Sequence, residues 1–144
     1  MSDDAIAIAS DHAGFELKEA LRVFLTEKGH TVLDLGTQGA DSVDYPDFGA
    51  AVAKALGEGR ASRGVLVCGT GIGISMAANR FPHVRAALCH NGLTARLSRQ
   101  HNDANVLALG SRIIGIETAK DCLREFLNTE FEGGRHAKRI KKFS

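Results

Sequence analysis

Gly64-Val65-Leu66-Val67-Cys68-Gly69-Thr70-Gly71-Ile72-Gly73 passes from an unbroken apolar run of strand length into three glycines at alternate positions. An apolar run without polar alternation is the pattern of a strand buried on both faces, as in a parallel sheet covered by helices. Glycines at every second position let the backbone turn tightly and aim its N–H groups at one spot, just where a helix begins. Such a loop is an anion cradle built from amide donors and the helix dipole. A cysteine at its head sits in the same positive potential, which favours its thiolate. Most free cysteines are small buried hydrophobes, a reading that suits Cys89 and Cys122 and suits Cys68 poorly. A dinucleotide fingerprint would need glycine at position 74, and a P-loop would need Gly-Lys-Ser/Thr to follow. A phosphatase-type loop would want Arg six residues after the cysteine. Position 74 is Ile and no such Lys follows, so all three are excluded.

Working outward from this stretch, apolar runs of strand length alternate with amphipathic stretches of helix length. Ala5 to Ala9 reads as a first strand, and Gly14 to Lys28 as a helix with Phe15, Leu17, Leu21, Phe24 and Leu25 at helical spacing. Gly29 stops that helix. Thr31 to Leu35 is a second strand, and Asp47 caps a helix running to Leu56. Gly64 to Cys68 is the third strand, followed by a helix from Ile74 to Asn79. Arg85 to Cys89 makes a fourth strand, with a helix from Gly92 to Arg99. Ala104 to Leu109 is the fifth strand, Ile116 to Leu127 a long amphipathic helix, and the basic tail a last helix. The expectation is an α/β protein with five parallel strands and helices on both faces, in one domain over residues 1–144.

The chain has 144 residues, 44% of them hydrophobic and 24% charged, which is ordinary globular composition. No apolar run approaches the roughly 20 residues of a membrane span. The acidic start, Met1-Ser2-Asp3-Asp4, does not read as a secretory signal, so the expected location is cytoplasmic. Three cysteines without C-x-x-C spacing argue against a disulfide framework and against a cysteine-based zinc site. The net charge of +1 is unevenly placed. Residues 135–144 hold five Lys/Arg and no acid, leaving 13 basic against 17 acidic side chains in the body. A basic tail on an acidic body fits a nucleic acid, a phosphorylated small molecule or a solvated end.

Parallel sheets of this kind bind ligands at the carboxyl ends of their strands. Ser10-Asp11-His12-Ala13-Gly14 follows the first strand and places a carboxylate and an imidazole at a helix start. That pair suits acid–base or anion-binding work. As a bare dipeptide it reads more plainly with Asp11 as a helix cap. His90 and Asn91 follow the fourth strand, and Gln100-His101-Asn102-Asp103-Ala104-Asn105 closes the next helix, where a lone histidine is more often structural. Gly110-Ser111-Arg112 puts a guanidinium after the fifth strand. Arg135 and Arg139, four apart, share one helical face and together suit a dianion. Taken jointly, these groups supply a base, an acid, an anion hole and a phosphate clamp.

Five segments carry a family resemblance: Ala9-Ser-Asp-His-Ala-Gly-Phe-Glu-Leu-Lys18, Asp44-Tyr-Pro-Asp47, Cys68 through Arg80, Ser98-Arg-Gln-His-Asn-Asp-Ala-Asn105 and Gly110-Ser-Arg112. Together they closely resemble the ribose-5-phosphate isomerase B family, with its related galactose- and allose-phosphate isomerases, over essentially the whole chain. The resemblance implies a three-layer, Rossmann-like αβα sandwich. It also implies an aldose–ketose isomerase without metal or cofactor, acting as a homodimer with active sites at the subunit interface. Pairing of dimers into tetramers is left open.

Carried over residue by residue, the resemblance makes Cys68 the general base between C1 and C2. It puts the backbone of Gly69, Thr70, Gly71, Ile72 and Gly73 around the enediolate, with Thr70 assisting. His101 opens the furanose ring, Asp11 stands by the sugar hydroxyls, and Tyr45 lines the pocket. His12, Arg112, Arg135 and Arg139 form the phosphate and sugar-binding set, with the tail from 135 to 144 completing it, and Asn102 binds sugar. In the family, His101 and Asn102 reach the site from the other subunit. One branch replaces the cysteine with a carboxylate further along the loop; here position 68 is Cys and position 75 is Ser, which implies the cysteine branch.

The expected activity is interconversion of ribose 5-phosphate and ribulose 5-phosphate, with no membrane and no nucleic acid as partner. Allose 6-phosphate or galactose 6-phosphate is the alternative substrate, and the galactose-type enzymes work as two unlike subunits. A nucleic-acid-binding module built on the basic tail is the non-enzymatic alternative. It leaves Cys68 and its glycines without a use and lacks aromatic platforms, with no Trp and one Tyr.

Overall fold

The five expected strands form one parallel sheet in the order β2-β1-β3-β5-β4. The structure, a computed structural model, describes residues 4–144; the Met1-Ser2-Asp3 start of the acidic segment lies outside them. The strands are β1 (Ile6–Ser10), β2 (Val32–Asp34), β3 (Arg63–Cys68), β4 (Ala86–Leu88) and β5 (Val106–Gly110). The helices are α1 (Phe15–Glu27), α2 (Tyr45–Gly57), α3 (Ile72–Ala78), α4 (Gly92–Asn102), α5 (Ile116–Asn128) and α6 (Arg135–Lys141). The central strands β1, β3 and β5 are buried along almost their whole length, as their continuous apolar runs require. The edge strands β2 and β4 keep only three residues each and are half-buried.

Side chains alternate across the sheet and feed two cores. Ile6, Ile8, Val65, Val67, Leu107 and Leu109 meet α1, α4 and α5 through Leu21, Leu25, Ala95, Leu123 and Phe126. Ala7, Ala9, Leu66, Cys68 and Ala108 meet α2 and α3 through Val52, Ala53, Ile74 and Ala78. The result is the expected three-layer αβα arrangement. Among the described residues, no helix is long and apolar enough to cross a membrane.

Three helix boundaries differ from the sequence reading by two residues or more. The N-cap of α2 is Asp44, in extended conformation with φ −97° and ψ 119°; Pro46 follows in the first turn, and Asp47 lies inside that turn. Proline's fixed φ and absent N–H suit a first turn, and that moves the start ahead of Asp47. Helix α3 begins at Ile72, two residues early, because Gly71 adopts φ +79° and hands the chain directly into the helix. Helix α4 runs three residues past Arg99. Buried Arg99 donates to the carbonyls of Ala104 (2.7 Å) and Thr129 (3.1 Å) and pairs with Asp103 (2.8 Å), holding a last turn that contains His101 and Asn102.

The order of the strands decides where a ligand can sit. The β1–α1–β2 connection runs to one side of β1 and the β2–α2–β3 connection crosses back to the other, so a crevice opens between the carboxyl ends of β1 and β3. Asp11 and Cys68 are the residues at those two ends.

Candidate active site

Cys68 ends β3 with its side chain almost wholly buried, and its Sγ accepts a hydrogen bond from the Gly71 N–H at 3.1 Å. An amide donated to sulfur stabilises negative charge there. The Ile72 N–H is likewise used inside the loop, on Thr70 Oγ1 at 3.2 Å, so the Thr70 hydroxyl keeps its own hydrogen for a ligand. The amides of Gly69, Thr70 and Gly73 meet no acceptor among the described residues. They are the donors left for an anion.

Each alternate glycine has a close neighbour where a side chain would stand. A Cβ at Gly69 would stand 3.1 Å from the Arg112 guanidinium, and one at Gly73 would stand 2.6 Å from the Tyr45 ring. At Gly71 it would meet Leu88 at 2.5 Å, on a backbone that already needs positive φ. The glycines therefore do two things: they free amides, and they bring Arg112 and Tyr45 down onto the loop. Arg112 is set by its own N–H on the Gly69 carbonyl (2.9 Å), and neighbouring Ser111 ties β5 to the β1 loop through Ala13 (2.8 Å).

Asp11 and His12 close the other side of the crevice. The Asp11 N–H donates to the Val67 carbonyl (3.3 Å), which registers the β1 loop beside Cys68. Its carboxylate accepts from the Gly14 N–H at 3.1 Å; Gly14 is itself the N-cap of α1, so Asp11 holds the turn ahead of the helix and does not cap it. His12 Nδ1 accepts from the Val43 N–H at 3.1 Å. With Nδ1 accepting, the ring hydrogen is on Nε2, which makes that nitrogen a donor.

Not all of the expected site residues gather here. His101 and Asn102 end α4, and Arg135 and Arg139 lie on α6, which packs against α4. Helix α4 starts beyond the carboxyl end of β4 and runs back, so its last turn lies at the amino edge. There Asp103 accepts from Arg85, the residue before β4. The five residues of β5 span roughly 16 Å at about 3.3 Å each. Within one chain, then, the joint cluster of base, acid, anion hole and arginine clamp expected from charge and residue type is split between opposite edges. Asp11, His12, Tyr45, Cys68, the glycine loop and Arg112 share the carboxyl edge; the other four do not reach it.

The remaining cysteines behave as core. Burial pushes the Cys122 thiol up to about 12, and burial also raises Cys89. The sequence reading gave no role to Val43, Ser111 and Leu88: Val43 acts through its main-chain N–H, Leu88 through packing, and Ser111 through its hydroxyl on a carbonyl distant in sequence. It also left His136 unused. That ring stacks on His101 with centroids 4.3 Å apart, and only the folded contact between α4 and α6 discloses it.

A doubly wound sheet with a cysteine-headed amide cradle at its switch point, flanked by a carboxylate, an imidazole and a guanidinium, defines an acid–base enzyme for anionic substrates. The sequence model of the Ribose/Galactose Isomerase family matches residues 6–143, and the chain belongs to that family. Ribose-5-phosphate isomerase B of Escherichia coli is 47% identical over 136 residues, 94% of this chain and 91% of that protein. The crystal structure of a ribose 5-phosphate isomerase from Thermotoga maritima superposes with a TM-score of 0.96 at 51% identity, covering 97% of both chains. D-erythrulose-4-phosphate isomerase of Pectobacterium atrosepticum is 41% identical over 139 residues, 96% of this chain and 91% of that one.

Proposed function

We propose that this chain interconverts ribose 5-phosphate and ribulose 5-phosphate through a cis-enediolate, with Cys68 as the base. The observation that carries the reading is the Cys68 sulfur at the head of a loop whose Gly69, Thr70 and Gly73 amides have no acceptor in the described chain. Ribose 5-phosphate is mostly a closed ring, so a proton donor first opens it; His101 is that donor, an imidazole being suited to transfer near neutral pH. The Cys68 thiolate then takes the proton from C2 of the open aldose. Charge gathers on O1, where the loop amides and the Thr70 hydroxyl meet it, each such donor being worth about 3 kcal/mol. Cys68 returns the proton to C1 while the hydroxyl proton of O2 passes to O1, giving the ketose with no net oxidation. Asp11 holds sugar hydroxyls, Tyr45 walls the pocket, and His12 Nε2–H and Arg112 take oxygen atoms of the substrate.

The phosphate clamp, Arg135 and Arg139, and the ring-handling pair, His101 and Asn102, serve the carboxyl edge of a second copy of the chain. Two observations support this homodimer. The two groups of residues stand at opposite edges of one chain. Beside the loop, Tyr45, Ile72 and Met76 also expose apolar side chains on α2 and α3, which a second copy of the chain would cover. The basic tail is thereby a phosphate clamp and not a nucleic-acid platform.

Turnover measured side by side on ribose 5-phosphate, allose 6-phosphate and galactose 6-phosphate tests the substrate. A pocket fitted to five carbons favours ribose 5-phosphate in kcat/KM by roughly tenfold or more. Faster turnover of a six-carbon sugar would replace the substrate and keep the chemistry. Activity of this chain without a second, unlike subunit separates it from the galactose type.

A further inference from the structure

His101, Glu132 and His136 bring their ligand atoms within 4.8 Å of one another at the amino edge. Two histidines and a carboxylate are a donor set that zinc accepts, but a metal must lie in the plane of each ring that binds it. These rings are stacked, with centroids 4.3 Å apart and planes only 13° from parallel. No point between them lies in both planes, so the cluster is built for stacking and not for chelation.

We propose that His136 is the positioning residue for His101, its imidazole setting the plane in which His101 faces the closed sugar ring. The inference rests on the reading of His101 as the ring-opening acid. A solvent-facing histidine at a frayed helix end would sample several rotamers, and a ring-opening acid has to meet one ring oxygen in one orientation. His136 is buried, and so its own position is fixed. Its Nε2 stands 3.6 Å from Glu132. The Glu132 N–H in turn donates to the Gln100 carbonyl at 3.1 Å, beside His101 on α4. The chain thus loops from α4 through Glu132 to His136 and back onto His101. Desolvation, then His101 and Arg135, with Arg139 adding to them, lower His136 from its ordinary value while Glu132 pulls the other way.

The discriminating probe is a substrate that needs no ring opening. Erythrose 4-phosphate is such an aldose, because its C4 oxygen carries the phosphate and no furanose can close. His136→Ala, His136→Phe and His101→Ala are assayed on ribose 5-phosphate and on erythrose 4-phosphate beside the wild type. His136→Ala is expected to lose roughly ten- to a hundredfold in kcat on ribose 5-phosphate and less than about twofold on erythrose 4-phosphate. His136→Phe, which keeps an aromatic face, is expected to recover most of the loss. Should His136→Ala fail to fold, the phenylalanine variant and His136→Asn carry the same comparison, with the asparagine showing the ring-selective loss. If His101→Ala is ring-selective and the His136 variants fall equally on both substrates, or not at all, the positioning role is overturned and the ring-opening role stands. If His101→Ala falls equally on both substrates, both are overturned.

Discussion

The two edges of the sheet solve different problems with different materials. At the carboxyl edge the working groups are main chain or are held by it: loop amides, a buried thiol bonded to Gly71, and an imidazole fixed by Val43. At the amino edge they are long cations on a short helix, Arg135 and Arg139, both exposed in the single chain. A developing enediolate needs dipoles already in place, because reorienting them costs the energy they would supply. A phosphate dianion is present before and after the reaction, so flexible arginines can grip it equally in both states. On the proposed mechanism, then, the carboxyl edge governs kcat and the amino edge governs KM.

The largest test of that contrast is Cys68→Ala. Removing the proposed base is expected to lower kcat about a thousandfold or more, while inorganic phosphate still binds. Turnover near that of the wild type would remove Cys68 from the base role. Arg139→Ala is the counterpart at the other edge. Loss of one charge-assisted hydrogen bond to phosphate, about 2 kcal/mol, corresponds to roughly thirtyfold in KM with kcat little changed. A fall in kcat with KM unmoved would mean that Arg139 acts on the transition state, and the division between the edges would fail.

Much of this was legible in the chain because its signals are local. The run from Gly64 to Gly73 names a buried strand and a turn leading into a helix, and the structure places the strand and turn there, with the helix starting at Ile72, two residues before the reading put it. Edge strands were overestimated, since Thr31–Leu35 and Arg85–Cys89 are apolar enough for five residues while only one neighbour is available to pair with. Residue type named the candidate groups but not the edge of the sheet on which each would lie. Charge alone put Arg135 and Arg139 beside Arg112, although a helix that follows a parallel strand ends at the opposite edge. His136 escaped notice because its partner is 35 positions away on another helix, and no spacing rule spans that distance.

The smallest expected effect bears most directly on the split site. Cys68→Ala damages only the carboxyl-edge half and His101→Ala only the amino-edge half, so each variant alone is close to inactive on ribose 5-phosphate. In a dimer containing one chain of each kind, one interface receives both damaged halves and the other receives an intact Cys68 and an intact His101. Random re-pairing of an equal mixture makes half of all dimers mixed, each with one working site of two, so activity returns to about a quarter of the wild-type value. The mixture is assayed after mild dissociation and reassembly, with the two variants reassembled separately as controls. If instead each chain built a complete site from its own residues, every site in the mixture would carry one lesion, and mixing would restore nothing.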